Sequence, residues 1–253
     1  MPDTTLFISD LHLCGTRPAI TELFLDFLRQ RAPSADSLYI LGDLFEYWIG
    51  DDAVEHEEFR PIVRGLRDLS DSGTPVFVMH GNRDFLIGRG FETATGARLL
   101  PDPICIDLHG TPTLLMHGDI LCIDDIEYMN FRSKVRSQPW QRDFLSKSVK
   151  ERNLIVHNYR EISKNSTAAK KPEIMDVNQG AVDNIMREYR VHRLIHGHTH
   201  RPKEHVFNLD GQPARRMVLG DWYEQGSVLR VNARGWILEN FDRIVSGQTL
   251  NAR

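Results

Sequence analysis

Five short polar motifs, each placed directly after a short apolar run, constrain this 253-residue chain more than any other feature. The motifs are Asp10-Leu11-His12, Gly42-Asp43, Gly81-Asn82, His117-Gly118 and Gly197-His198-Thr199-His200. A short apolar run bounded by turn residues is typical of a buried β-strand, so each motif is predicted to lie where a strand ends. Strands that end together bring their last residues to one edge of a sheet, and we expect the motifs to meet there.

The side chains of these motifs are suitable ligands for metal ions. They are two aspartates, one asparagine and four histidines: Asp10, His12, Asp43, Asn82, His117, His198 and His200. Borderline divalent ions such as manganese or iron accept this mixture of carboxylate, amide and imidazole groups. Donors two residues apart in an extended segment share a side, which suits the first and last motifs. We predict a two-metal site bridged by Asp43, an arrangement suited to attack of water on phosphorus.

The overall composition excludes several classes of protein. The formal net charge is −4, so no overall positive charge favours a nucleic-acid partner. The three cysteines form no CxxC pair, which favours a reducing compartment over a disulfide framework. No apolar run approaches the roughly 18 residues of a transmembrane helix, and no signal segment precedes the first predicted strand. We therefore expect a cytoplasmic protein whose membrane contact, if any, is peripheral.

The alternation of strand and helix patterns predicts an α/β fold. Helices are expected over residues 20–28, from about 54 to 69 and from about 176 to 189. Short runs between tight turns from 203 to 241 predict antiparallel strands that form a second sheet. The expected core, residues 1–122 and 176–253, is therefore a sandwich of two sheets flanked by helices (αββα).

Residues 123–175 differ in character from the rest of the chain. They contain 11 Lys and Arg against 7 Asp and Glu, so this segment carries +4 and the remainder carries −8. Because the segment lies between the fourth and fifth motifs, we predict an inserted helical cap (the insertion) beside the metal site. Its apolar residues either line a chamber or simply pack the helices together: Tyr128, Met129, Phe131, Val135, Trp140, Phe144, Leu145, Val149, Ile155 and Tyr159.

The ordered motifs resemble those of the calcineurin-like metallophosphoesterases, whose fold is a two-sheet sandwich flanked by helices. Many members carry histidine after the Gly-Asn of the third motif, where it protonates the leaving oxygen. Here Arg83 and Asp84 follow. Arginine does not release its proton, but it can donate two parallel hydrogen bonds to a phosphate. This difference favours pyrophosphate cleavage, because a phosphate monoester leaves without protonation. The alternative is that Arg83 only pairs with Asp84 or another acid.

Longer motifs carry the resemblance further, to the branch of the family that hydrolyses UDP-2,3-diacylglucosamine in lipid A biosynthesis. They are Leu-Gly-Asp-Leu-Phe-Glu-Tyr-Trp-Ile-Gly-Asp-Asp (41–52), Gly-Asn-Arg-Asp-Phe (81–85), His-Gly-Asp (117–119) and Leu-Gly-Asp-Trp-Tyr (219–223). The resemblance covers essentially the whole chain. It implies release of UMP and 2,3-diacylglucosamine 1-phosphate, two metal ions that are typically Mn²⁺, and a peripheral position on the cytoplasmic face of the inner membrane.

The resemblance also assigns roles to individual residues. It places one metal ion on Asp10, His12, Asp43 and His200, and the other on Asp43, Asn82, His117 and His198. It makes Asn82, Arg83 and His198 catalytic. It assigns substrate contacts to Asn82, Arg83, Asp125, Ser163, Thr167, Lys170 and His198. The insertion would then hold the acyl chains, and Lys170 would meet a phosphate.

Three other functions fit parts of the sequence. A metal-dependent nuclease on the same scaffold needs a basic groove, which the −8 outside the insertion disfavours. A pyrophosphatase acting on a soluble nucleotide-sugar needs the metals and Arg83 but no acyl chamber. A non-enzymatic scaffold would have lost metal ligands, whereas all seven donors are present here.

Overall fold

The computed structural model describes residues 4–169 and 174–242, without the side chains of 164–169. These residues form two β-sheets. The first sheet contains β1 (Thr5–Ile8), β2 (Ser37–Leu41), β3 (Val76–Met79), β4 (Arg98–Leu100), β10 (Gly226–Asn232) and β11 (Gly235–Phe241). The second contains β5 (Ile104–Leu108), β6 (Thr111–Met116), β7 (Arg193–His196), β8 (Lys203–Leu209) and β9 (Gln212–Val218). The strand orders are β11-β10-β1-β2-β3-β4 and β5-β6-β7-β9-β8.

The described residues also form seven α-helices. They are α1 (Pro18–Gln30), α2 (Arg60–Asp71), α3 (Arg89–Thr95), α4 (Ile126–Val135), α5 (Gln138–Leu145), α6 (Val149–Ala169) and α7 (Gln179–Glu188). Helices α1 and α2 pack on the first sheet, and α7 packs on the second. Between the sheets, residues such as Phe7 and Met79 of the first meet Leu115 and Ile195 of the second. The predicted α/β sandwich of two sheets is confirmed.

Two expectations about the sheets were wrong. The strands between 203 and 241 do not form one sheet, because β8 and β9 extend the second sheet while β10 pairs antiparallel with β1 of the first. The five motifs also do not share the edge of a single sheet. Strands β1, β2 and β3 carry the first three motifs, whereas β6 and β7 of the other sheet carry the last two.

The second helix begins later than its apolar periodicity predicts. Residues 54–59 form turns, and α2 starts at Arg60 with Pro61 in its first turn. Proline suits that position because its missing N–H would have no partner inside the helix.

Helices α4, α5 and α6 lie within the predicted insertion, and four arginines tie them to the rest of the fold. Arg132 donates to Asp119, and Arg136 donates to the carbonyl of Gly81. Arg152 and Arg160 make the two further ties, to Asp52 and Glu46. No helix in the described ranges combines the length and apolar character needed to cross a bilayer. All three cysteines are free.

Candidate metal centre

The backbone turns sharply at most of the predicted metal ligands. Five of the seven have a positive φ: Asp10 (57°), His12 (51°), Asp43 (52°), His198 (70°) and His200 (54°). A left-handed conformation is uncommon for residues other than glycine, and each instance costs on the order of 1–3 kcal/mol. Such strain concentrates at functional sites, where the surrounding structure fixes the side chains in place.

Backbone hydrogen bonds hold the motifs against each other beyond the strand ends. The N–H of His12 donates to the carbonyl of Asp43 at 2.9 Å, and the N–H of Gly197 donates to the carbonyl of His117 at 2.8 Å. The two sheets are joined where the N–H of His198 donates to the Asp10 carboxylate at 2.9 Å. These bonds bring motifs from both sheets to one place.

All seven predicted ligands meet at this place. One possible ligand atom each from Asp10, His12 and His200 lies within 4.8 Å of the others, and the same holds for Asp10, Asp43 and His117. The remaining two join through hydrogen bonds, because the amide oxygen of Asn82 lies 2.9 Å from both His117 Nε2 and His198 Nδ1.

The state of Asp10 fits a bound cation. Its side chain is fully buried, and its Oδ2 accepts hydrogen bonds from Ser9 Oγ at 2.6 Å and from the N–H of His198. Its Oδ1 is also buried and lies 3.4 Å from His200 Nε2, but no hydrogen bond of good geometry reaches it. A buried carboxylate oxygen without a well-aligned donor is costly, and a divalent ion would satisfy it. The neighbouring donors are oxygen and imidazole nitrogen, which suit borderline divalent metals.

Two glycines make the close approach of these carboxylates possible. A Cβ at Gly81 would lie 2.1 Å from Asp43 Oδ1, and one at Gly197 would lie 2.4 Å from Asp10 Oδ2. Any side chain at either position would displace a predicted metal ligand.

The charges in the cluster act strongly on one another. Burial favours a neutral Asp10, yet His200, His117 and His12 together hold its pKa well below its usual range. Burial likewise opposes protonation of His117, but Asp43 and Asp10 raise its pKa to about 9. The negative electrostatic potential that stabilises the proton on His117 also attracts metal cations. Burial and the charge of His117 lower the pKa of His198 to about 4, so its imidazole is neutral at pH 7 and able to bind a metal.

Asp84 supports the second and third motifs rather than pairing with Arg83. It is fully buried and accepts hydrogen bonds from the N–H groups of Leu44 at 2.7 Å and of Gly81 at 2.8 Å. Burial and the charge of Asp43 raise its pKa. Asp84 is therefore not an acid that pairs with Arg83. The side chain of Arg83 is 31% exposed and lies 3.9 Å from another acid, Glu46, which the same alternative allowed.

Glu46, which the sequence reading did not identify, links three parts of the site. One oxygen lies 3.2 Å from Nδ1 of the predicted ligand His12. The other accepts a hydrogen bond from Arg160 at 2.7 Å and lies 3.9 Å from Arg83. Although burial raises its pKa, His12 and these arginines lower it to about 2. A carboxylate on the far nitrogen of a metal-binding histidine fixes the orientation of the ring.

A cavity of about 920 Å³ opens beside the metal centre. Four predicted substrate contacts line it: Asn82, Arg83, Asp125 and Ser163. His198 lies next to Asn82, while the side chain of Thr167 and all of Lys170 lie outside the described residues. Asp125 also caps α4 by accepting a hydrogen bond from the N–H of Tyr128.

The walls of this cavity are mainly aromatic and aliphatic. Six of the ten predicted apolar residues line it: Tyr128, Phe131, Val135, Trp140, Phe144 and Tyr159. The other four do not; Leu145 and Val149 are exposed, and Ile155 packs against the core. The side of the cavity outside the insertion adds Trp48, Phe85 and Leu86, which no periodicity in the sequence marked out.

The fold, the ligand cluster and the strained strand ends define a metallophosphoesterase. The chain belongs to the calcineurin-like phosphoesterase family, which residues 4–202 match. It is also similar over nearly its whole length to proteins named UDP-2,3-diacylglucosamine hydrolase. The relative from Stenotrophomonas maltophilia (strain K279a) is 50% identical over 247 residues, covering 95% of this chain and 99% of the relative. The one from Xanthomonas campestris pv. campestris (strain B100) is 50% identical over 243 residues, covering 93% and 98%. The resemblance inferred from the motifs is confirmed.

Proposed function

We propose that this protein hydrolyses the pyrophosphate bond of UDP-2,3-diacylglucosamine in lipid A biosynthesis, releasing UMP and 2,3-diacylglucosamine 1-phosphate. The observation that carries this proposal is the apolar cavity opening beside a cluster of seven possible metal ligands, with Asn82 and Arg83 where the two meet. Relatives that cover nearly the whole chain bear the name of this activity.

The proposed cofactor is a pair of divalent ions, for which we propose Mn²⁺. Asp10, His12, Asp43 and His200 would hold one ion, and Asp43, Asn82, His117 and His198 the other. When bound, such ions supply Lewis-acid charge to the phosphoryl oxygens and an activated water.

The residues around the cluster would orient the substrate. The partly exposed side chain of Arg83 lines the cavity, and its guanidinium can donate two parallel hydrogen bonds to phosphoryl oxygens. The leaving group at the α-phosphorus is itself a phosphate monoester and needs no proton. An arginine in place of a proton-donating histidine is consistent with that requirement.

The insertion, residues 123–175, is proposed as the substrate-binding cap on a core of residues 1–122 and 176–253. Its aromatic wall gives two acyl chains an apolar environment, for which each buried CH₂ contributes about 0.8 kcal/mol. The cavity favours this lipid substrate over a soluble nucleotide-sugar.

Hydrolysis of the acylated UDP-sugar in oxygen-18 water tests the proposal. Manganese-loaded protein is expected to place one label in UMP and none in the sugar phosphate, because water attacks the α-phosphorus. Label in the sugar phosphate would contradict the assigned position of attack. Equal turnover of the same UDP-sugar without acyl chains would favour a soluble substrate, and digestion of single-stranded DNA instead would favour a nuclease.

We also propose peripheral binding to the cytoplasmic face of the inner membrane, where the lipid substrate resides. Of the exposed large apolar side chains among the described residues, most lie in the insertion: Ile123, Ile126, Phe131, Leu145, Val149, Leu154 and Ile162. Flotation with anionic liposomes is expected to carry the protein upward in a salt-sensitive way. Protein that stays at the bottom at every salt concentration would remove this part of the proposal.

A further inference from the structure

The turn after β9 brings an aromatic pair, Trp222 and Tyr223, to the metal centre, and the proposed function gives neither residue a role. Trp222 is fully buried. Its backbone N–H donates to the carbonyl of Asp10 at 3.1 Å, and its indole N–H donates to the carbonyl of Ser227 at 3.0 Å. These bonds fix the segment against the first motif, so the position of Tyr223 is fixed as well.

Tyr223 places a planar ring beside two predicted metal ligands. Its ring centroid lies 5.5 Å from that of His12, with only 5° between the planes, and 5.3 Å from that of His200. The side chain is nevertheless 46% exposed. Of the phenylalanine, tyrosine and tryptophan residues that the structure describes, only Tyr223 and Phe131 are exposed, and Phe131 lines the cavity.

Tyr223 lies beside the cavity but outside it. The cavity meets the ligand cluster at Asn82 and at Glu46, which lies 3.2 Å from His12, and Tyr223 is not among its lining residues. Tyr223 contacts His12 and His200, which would hold one metal ion, whereas Asn82 would hold the second. In a UDP-sugar, the diphosphate separates the nucleoside from the acylated sugar. Acyl chains in the cavity therefore place the nucleoside beyond the diphosphate, on the side of Tyr223.

Arg17 contributes to the placement of this ring. Its guanidinium carbon lies 4.8 Å from the Tyr223 ring centroid, and the same group donates hydrogen bonds to the carbonyls of Leu11 and His12. A cation held at this distance interacts favourably with the ring. The position of the phenol ring is thus fixed by the anchored neighbour Trp222 and by contact with the guanidinium of Arg17.

We propose that Tyr223 is the stacking platform for the uracil base of the substrate, and that it sets the preference for a nucleotide on this side of the metal centre. Aromatic side chains bind bases through their flat faces, which a partly exposed ring beside a phosphate-binding centre can offer. This inference rests on the proposed function, because that function supplies the uridine nucleotide.

Calorimetric titration of the manganese-loaded full chain with UMP and with 5,6-dihydro-UMP tests the stacking directly. The two ligands share their phosphate, ribose and hydrogen-bonding groups, but the saturated base is not flat. We expect UMP to bind about tenfold more tightly, a typical value for stacking of one base. Equal affinities would overturn the proposal, and this comparison needs no variant.

Three variants locate the effect. Tyr223→Phe keeps the flat ring and should keep the preference for UMP, whereas Tyr223→Leu should abolish it. Phe131→Leu is the matched control, because it removes the other exposed aromatic ring; it should retain the preference for UMP. Metal content is measured first in each variant, since Tyr223 contacts two predicted ligands. A preference that survives in metal-loaded Tyr223→Leu would overturn the proposal.

These binding measurements do not require turnover. If the wild-type protein failed to hydrolyse the acylated UDP-sugar, the proposed function would fail while UMP binding could still be judged. If the wild type is active but does not distinguish UMP from its dihydro form, only the stacking proposal fails.

Discussion

At the scale of single residues, Glu46 connects the metal centre to the groups that meet the substrate. It lies against His12 on one side and against Arg83 and Arg160 on the other. Only 12% of its side chain is exposed, so water screens these interactions weakly. The carboxylate therefore both orients a predicted ligand and holds two cations near the place where a phosphate would bind.

Replacing Glu46 by glutamine should weaken metal binding. The substitution keeps the size of the side chain but removes the charge that orients His12, and loss of such a partner typically costs about 10- to 100-fold in metal affinity. Titration calorimetry with Mn²⁺ measures the change. Glu57→Gln is the control, since it removes the same charge from a residue that is exposed on the surface. An unchanged manganese affinity in Glu46→Gln would show that His12 needs no such support.

Metal binding should also depend on pH through His117. Its pKa of about 9 means that the metal-free imidazole is protonated at pH 7, so a metal ion must displace that proton. Affinity should therefore rise with pH, by up to about tenfold per unit for one displaced proton, and level off above about pH 9. His198, with a pKa of about 4, is already neutral and adds no dependence at pH 7.

Calorimetry in two buffers of different ionisation enthalpy counts the protons released on metal binding. At least one proton at pH 7 is expected for the wild type, from His117 and in part from His200, whose pKa Asp10 raises despite its burial. His117→Gln should release markedly fewer. No proton release by the wild type would mean that His117 does not bind the metal as a neutral ligand.

At the scale of elements, the sequence predicts what is local and misses what depends on distant contacts. The five strands before the motifs were predictable, because each is a short apolar run followed by turn residues. The pairing of β10 with β1 was not, because an alternating pattern specifies which face is buried but not which strand lies alongside. The ligands were identified by their place in the motifs. Glu46 lies inside the motif 41–52, but the motif does not reveal its role, because the packing of α6 against the core brings Arg160 to it.

The insertion illustrates the same limit. Its net positive charge is not simply available for an anionic ligand, because four of its arginines donate to acceptors outside it. Arg152 is the most buried of these, 4% exposed, and donates to the carbonyl of Ile49 at 2.5 Å and to both oxygens of Asp52. Helix α6 is therefore fixed to the core beside the cavity.

Arg152→Met should loosen this attachment without affecting the metals. The buried carbonyl of Ile49 would lose its charged donor, a change that costs about 1–3 kcal/mol. We expect faster hydrogen exchange in α5 and α6 and a higher KM for the acylated UDP-sugar, with manganese affinity unchanged. Arg142→Met, at an exposed position of the insertion, is the control and should alter neither. Unchanged exchange in Arg152→Met would show that packing alone holds the insertion.

At the scale of the whole molecule, the metal centre joins two sheets that also pack against each other through an apolar core. The first sheet supplies Asp10, His12, Asp43 and Asn82, while the second supplies His117, His198 and His200. Several of these residues have strained backbone conformations, and the carboxylates of Asp10 and Asp43 lie close together. A bound cation pair would offset that cost for both sheets at once, so metal binding and folding should be linked.

Manganese should therefore raise the melting temperature of the entire fold. A ligand at 100 times its Kd stabilises the folded state by about 2.7 kcal/mol, and each kcal/mol shifts the melting of a domain of this size by about 2–4 °C. Scanning calorimetry should show one transition that moves upward by about 5–10 °C with Mn²⁺ and returns with chelator. Asp43→Asn removes the predicted bridging carboxylate and should lose most of that shift. A transition that splits, with only part of it responding to Mn²⁺, would mean that the ions stabilise one sheet and do not join the two.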